Sequence, residues 1–119
     1  MTIVNGVIIA LLIIFLVRKM IPVKGVRQMT PAQLQNEQKD NNKQYIDVRT
    51  PAEYKRFHVP GFVNMPLHQL HQKKSQLSKD QEVVVMCQSG MRSSKASKIL
   101  KKEGFKNITN IRGGLSAWR

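Results

Sequence analysis

The stretch Val83-Val84-Val85-Met86-Cys87-Gln88-Ser89-Gly90-Met91-Arg92-Ser93-Ser94 sets an apolar run, the chain's only cysteine, a glycine, an arginine and a helix start in direct succession. Val83-Val84-Val85-Met86 suits a central strand buried on both faces. After Arg92 the pattern turns helical: Ala96, Ile99 and Leu100 form an apolar stripe, and Lys95, Lys98, Lys101 and Lys102 cover the wet face. Gly104 falls where a helix-ending glycine belongs. This order places Cys87 at the carboxyl end of a strand, where open α/β sheets bind ligands. Successive N–H groups in such a loop and the dipole of the following helix attract anions and favour the nucleophilic thiolate. Gly90 allows a positive φ where the loop turns back, and Arg92 supplies a planar fork of donors. A cysteine ending a strand can also be a small hydrophobe, but the glycine, the arginine and the helix start make a coherent anion site. Cys87 is therefore the candidate nucleophile, with Gln88, Ser89, Gly90, Met91, Arg92 and Ser93 as its loop.

Outward from this loop, strands alternate with helices. Thr30-Pro31-Ala32-Gln33 and Thr50-Pro51-Ala52-Glu53 each carry Thr at the N-cap, Pro at the first helical position and Gln or Glu at the third, the pattern of a capping box. Gln44-Tyr45-Ile46-Asp47-Val48, Phe62-Val63-Asn64 and Ile108-Thr109-Asn110-Ile111 are further strand candidates. Residues 33–44 are polar and predict a small exposed helix followed by a loop. The class expected is α/β with a mostly parallel central sheet.

Charge and hydropathy divide the chain. Its 119 residues carry a formal net charge of +13, from 20 Lys and Arg against 7 Asp and Glu. The first 17 residues hold 14 hydrophobic side chains and no charge; every charged side chain lies after them. Asn5 and Gly6 alone interrupt the run over residues 3–17. A cleavable signal would place basic residues before the run and small ones after it, whereas Arg18-Lys19-Met20-Ile21-Pro22 follows here. The expectation is a single-pass transmembrane anchor over residues 1–21, in contact with membrane lipid, then a linker over residues 22–25 and one domain over residues 26–119. Arg18, Lys19, Lys24 and Arg27 just after the span put the N-terminus outside and the domain in the cytoplasm. A cytoplasmic domain suits a lone reduced thiol. One cysteine excludes an intramolecular disulfide framework and any multi-cysteine zinc site. The lysines and arginines are scattered and aromatic residues make up only 6%, so no specific nucleic-acid partner is expected.

Several separated segments carry a family resemblance. Ile46-Asp47-Val48-Arg49-Thr50-Pro51-Ala52-Glu53-Tyr54 resembles a strand ending in D-x-R followed by a helix with E-[YF]. His58-Val59-Pro60-Gly61 with Asn64-Met65-Pro66 resembles H-[IV]-P-G-A-x-N-[IL]-P. Residues 87–92 resemble the loop C-x-x-G-x-R, and Gly113-Gly114-Leu115-Ser116-Ala117-Trp118 resembles G-G-[IL]-x-x-W. Together they resemble a single rhodanese-like domain over roughly residues 26–119, with a membrane segment ahead of it as in small bacterial members. Phe57 stands where the family usually has Gly, and Phe62 where it usually has Ala.

The resemblance implies a three-layer α/β fold and sulfur transfer of the thiosulfate sulfurtransferase type. Cys87 would take a sulfane sulfur from a small donor such as thiosulfate, hold it as a persulfide and pass it to a thiol, a protein acceptor or cyanide. No metal and no organic cofactor is required, and a monomeric soluble domain is expected. Asp47 and Arg49 are implied as supports of the loop. The loop counts six residues, C-x4-R, whereas cysteine phosphatases and related arsenate reductases use C-x5-R; the smaller ring suits a single sulfur better than a tetrahedral oxyanion. The alternatives are a non-catalytic domain recruiting a partner to the membrane and, behind it, a phosphatase or arsenate reductase. Arg92 either attracts an anionic donor or braces the loop in an ion pair. His58 reads as a hydrogen-bonded structural histidine rather than a base. His68 and His71 lack the further ligands of a zinc site, and Trp118 reads as a packing anchor.

Overall fold

A computed structural model describes residues 2–20, 24–37 and 42–118. Its elements are α1 (Thr2–Met20), β1 (Arg27–Met29), α2 (Pro31–Glu37), β2 (Gln44–Asp47), α3 (Pro51–Arg56), β3 (Val63–Asn64), α4 (Leu70–Lys73), β4 (Val83–Met86), α5 (Met91–Lys102) and β5 (Ile108–Ile111). Short 3-10 turns flank α4, and a further one, Gly114–Ala117, follows β5. The strands form one five-stranded sheet in the order β1-β5-β4-β2-β3, with every pair parallel.

The alternation of side chains along β4 explains the layering. Val83, Val85 and Cys87 face a core with Ile46, Ala96, Leu100 and Phe105; Val84 and Met86 face a second core with Met29, Leu34, Phe62 and Ile111. Helix α5 covers the first face through its apolar stripe. Helix α2 and the partly buried Leu115 and Trp118 cover the second. All four β4 residues are fully buried, as a strand covered on both faces requires. From β2 the chain turns toward β3, and from β4 it turns toward β5. The two paths diverge above the carboxyl ends of β2 and β4, which is where doubly covered parallel sheets open a crevice.

One sequence expectation changes, and two elements appear that the sequence does not announce. First, residues 2–20 are helical, but among the described residues no helix is long and apolar enough to cross a membrane. Asn5 and Gly6 confine the unbroken apolar run to residues 7–17, roughly 16 Å of helix against about 30 Å of hydrocarbon. Residues 22 and 23 of the expected linker lie outside the described residues, as do 38–41 of the polar loop. Second, β1 has no periodicity that could announce it. Pairing makes it a strand, with Arg27, Gln28 and Met29 in register with Thr109, Asn110 and Ile111. Third, residues 67–76 form α4 with its flanking turns, where Leu70 drops into the first core.

The two phenylalanines part company. Phe62 is buried in the second core and meets the Tyr45 ring edge-on at 5.4 Å between centroids. Phe57 is 58% exposed and ends α3 with extended backbone.

Candidate active site

The loop after β4 is held from outside by the carboxyl-terminal turn. Leu115 N–H donates to Cys87 O at 2.9 Å and Ser116 N–H to Gln88 O at 2.8 Å. The first two loop carbonyls thus bond to this turn, and the first N–H groups of α5 have no carbonyl one turn back to take them. The approach requires glycine. A Cβ on Gly114, whose φ is +56°, would collide with Cys87 O and come within 2.9 Å of the Gln88 carbonyl. Gly90, at φ +109°, reverses the chain at the start of α5. Its N–H donates to Cys87 Sγ at 2.9 Å.

Cys87 is 1% exposed. Its thiol donates to Ser93 Oγ at 3.4 Å, and Ser93 Oγ donates to Gly90 O at 3.1 Å. Ser93 is fully buried, while Ser89 and Met91 are exposed at the loop's outer side. As a thiolate the sulfur can accept only, and the Ser93 hydroxyl, free to rotate, can then turn toward it. The site therefore offers a sulfur anion a backbone donor and a hydroxyl donor in buried surroundings.

Arg92 does not lie on the sulfur. Its two terminal nitrogens grip Glu53, Nη1 to Oε1 at 2.6 Å and Nη2 to Oε2 at 2.9 Å. The pair is a fork-to-fork carboxylate clamp. Hydrogen bonding from Arg92 is the largest influence holding the Glu53 carboxyl down at about 2, and the same bond raises Arg92. Glu53 also completes the α3 cap: Thr50 N–H donates to Glu53 Oε1 at 3.1 Å, and Glu53 N–H to Thr50 Oγ1 at 3.3 Å. The sequence marks Glu53 as a cap residue and as part of the E-[YF] segment, not as the partner of Arg92. The one local hint of more is the acid at a position where the other box has Gln33.

Asp47 and Arg49 meet the loop from β2. Both are buried, at 0% and 3% exposure, and Arg49 Nη2 lies 2.8 Å from Asp47 Oδ2. Arg49 N–H and Nε also donate to Asp47 Oδ1, both at 3.0 Å, so the buried charge is fully engaged. Arg49 then reaches the Phe57 carbonyl at 2.7 Å and Gln88 Oε1 at 3.5 Å. Gln88 Nε2 donates onward to Ser116 Oγ at 3.2 Å. Asn64 Nδ2 donates to the carbonyls of Asp47 and Arg49, each at 3.0 Å, and closes the support from β3.

The histidines lie apart from the sulfur chemistry. The His58 ring stacks on Tyr54 at 3.8 Å and its Nδ1 bonds Tyr54 O at 2.8 Å. His68 and His71 line a cleft beside Arg92. Among the described residues no group of three or more His, Cys, Asp or Glu could hold a metal ion.

Comparison with known proteins bears on the same residues. The Rhodanese-like domain family model matches residues 30–119. The chain is 38% identical over 73 residues to a sulfurtransferase of Allochromatium vinosum, a match covering 61% of this chain and 68% of the relative. It is 35% identical over 79 residues to YrkF of Bacillus subtilis, covering 66% of this chain but only 43% of that longer protein. The crystal structure of a rhodanese-like domain protein from Staphylococcus aureus superimposes with a TM-score of 0.73 at 25% identity, over 79% of this chain and 92% of that one. With a parallel sheet, a cysteine loop after its central strand and a family match over most of its length, the chain belongs to the rhodanese-like domain family.

Proposed function

We propose that the chain is a sulfurtransferase that carries sulfane sulfur on Cys87. The observation that carries this reading is the Gly90 N–H at 2.9 Å from Cys87 Sγ, within a six-residue loop. The Cys87 thiolate attacks the outer sulfur of a donor such as thiosulfate. The donor's S–S bond breaks and sulfite leaves with the bonding pair. The persulfide anion then sits where the Gly90 N–H and the Ser93 hydroxyl can donate to it. An acceptor thiolate attacks the outer sulfur, becomes a persulfide itself, and returns the bonding pair to Cys87; cyanide in the same role leaves as thiocyanate. Phosphate or arsenate chemistry fits less well, because the loop from Cys87 to Arg92 is one residue shorter than the C-x5-R loop that cradles a tetrahedral oxyanion. The sulfurtransferase from Allochromatium vinosum among the relatives supports the same reading.

Intact-mass measurement after incubating the chain with thiosulfate tests it. The expected result is a gain of one sulfur atom, reversed by cyanide and absent in Cys87→Ser. Absence of the gain with every sulfane donor favours a recruitment domain, and phosphate release from an aryl phosphate favours a phosphatase.

The reading extends to location. Ile3, Val7, Ile8, Leu11, Phe15 and the other large apolar side chains of α1 are about half or more exposed, and charge begins only at Arg18. An apolar surface of this extent calls for an apolar phase. We propose that α1 holds the domain at the cytoplasmic face of a membrane. Co-sedimentation of the full chain with lipid vesicles, lost when Ile8 and Leu12 of α1 are replaced by aspartate, is the expected result; recovery of the unaltered chain in the supernatant overturns it.

A further inference from the structure

Beside the loop lies a cleft of about 490 Å³ that the sulfur chemistry does not use. Its floor is apolar: Val48 is buried, and Leu67 and Ile99 are partly buried against the first core. Its rim carries Arg92 and Lys95 from α5 on one side and His68 and His71 from the α4 segment on the other. The nearby carboxylates are already committed, Glu53 to Arg92 and Glu103 to Lys74 at 2.9 Å. Among the described residues Lys95 has no ion-pair partner within 4 Å and is exposed. The Lys74 ammonium lies 3.4 Å from His71 Nδ1 and can only donate to it, which leaves Nε2 to carry the ring hydrogen. The cleft joins the active loop directly, because Arg92 belongs to both and Val48 N–H donates to the carbonyl of Met86, the residue before Cys87.

We propose that this cleft binds an acidic segment of the protein that presents the acceptor thiol, apolar side chains on the floor and carboxylates on the rim. This rests on the sulfur-transfer reading and adds the class of acceptor to it. An inorganic anion would leave the apolar floor unused. A single-stranded nucleic acid would look for aromatic stacking platforms, and no Phe, Tyr or Trp lines the cleft. An acidic amphipathic polypeptide uses both features, and the chain's +13 charge speeds its approach.

The test uses the full chain in a non-ionic detergent and a synthetic peptide that alternates glutamate with leucine and ends in cysteine. Binding is read by fluorescence anisotropy on the Cys87→Ser chain, so that no sulfur chemistry intervenes. Replacing every glutamate of the peptide by glutamine should weaken binding about tenfold, as should Lys95→Glu in the chain. Lys98→Glu, an exposed change on α5 outside the cleft, should alter it by less than about twofold. On the thiosulfate-loaded wild-type chain, sulfur transfer to the two peptides should differ by the same factor. Equal binding of both peptides, or equal effects of Lys95→Glu and Lys98→Glu, overturns the proposal. So does a single-stranded RNA oligonucleotide that binds more tightly than the acidic peptide with the same dependence on Lys95. If the peptide binds with Lys95 dependence but Cys87 gains no sulfur, the sulfur-transfer reading fails and the cleft's preference for an acidic segment stands. If Cys87 gains sulfur and binding ignores Lys95, the cleft proposal alone fails.

Discussion

The two capping boxes are written almost identically and serve different ends. At the first, Thr30 N–H donates to Gln33 Oε1 at 2.9 Å and Gln33 N–H to Thr30 Oγ1 at 3.2 Å. At the second, Thr50 and Glu53 make the same reciprocal bonds. Helix α2 then buries Pro31 and Leu34, while α3 buries no residue at all. Packing holds the first helix; polar contacts must hold the second. Glu53 supplies them, since its carboxylate caps α3 and grips Arg92 of the active loop, 39 positions along the chain. One change of residue type at the third helical position, amide to carboxylate, turns a local stop signal into a strut between two loops. The comparison teaches that a short helix without a buried face can serve as the carrier of a single charge.

Breaking the packed side should have the largest effect on stability. Leu34→Ala removes a side chain that is 1% exposed and should cost about 2–5 kcal/mol in denaturant unfolding. Its rate of sulfur uptake per folded molecule should stay that of the wild type. Glu53→Ala should cost less, about 1–2 kcal/mol, from the lost cap and the lost half-exposed pair. Unlike Leu34→Ala, it should slow sulfur loading about tenfold, because Arg92 and the loop lose their brace. An unchanged loading rate would reduce the Glu53–Arg92 pair to a surface ion pair.

Glu53→Gln sharpens the contrast, since glutamine at the equivalent position of the first box caps well. The cap should survive and only the ionic grip should go, at a cost of about 0.5–1 kcal/mol near neutral pH. The Glu53 carboxyl lies at about 2 against an ordinary 4.5. A depressed carboxyl contributes its stability above its unfolded value and loses it as pH falls through the folded one. The wild type should therefore begin to converge on the variant below about pH 4.5 and meet it only below about pH 2, a trend that melting curves at a series of pH values resolve. A gap that does not narrow between about pH 4.5 and 2 would point to some other origin. The smallest effect should come from Gln33→Glu, within about 0.5 kcal/mol and with no change in sulfur loading, because the side-chain bonds of that cap run between Thr30 and Gln33 themselves.

Much of the site is legible from short-range pattern. Four apolar residues before Cys87 mark β4, Gly90 and Arg92 mark the loop, and the Thr-Pro-Ala signatures mark α2 and α3 to the residue. What escapes is whatever depends on a distant partner. Arg27-Gln28-Met29 becomes a strand only because β5 lies beside it. Phe62, read at the head of a short strand, carries no sign of the core it fills with Met86 and Ile111. For Arg92 the sequence leaves open an anionic donor or an ion pair, and only the fold brings Glu53 of α3 against it. Gly114 is one of a glycine pair in sequence, and only the backbone of Cys87 and Gln88 against it shows why a side chain cannot stand there.

By itself the sequence determined the parallel α/β class, the candidate nucleophile, the loop that turns back over it and the division between an apolar tip and a basic body. These follow from forces acting over a few residues: capping, strand and helix periodicity, the freedom of glycine, and the count of apolar side chains. Only the tertiary structure decided which carboxylate holds Arg92, which turn backs the loop, and how Val48, Lys95 and His71 come to border one cleft. These depend on where crossover connections set residues dozens of positions apart. A charge has no assigned partner until the sheet order brings one within reach, and β2 and β4 are neighbours only because the chain returns from β3 to lie beside β2.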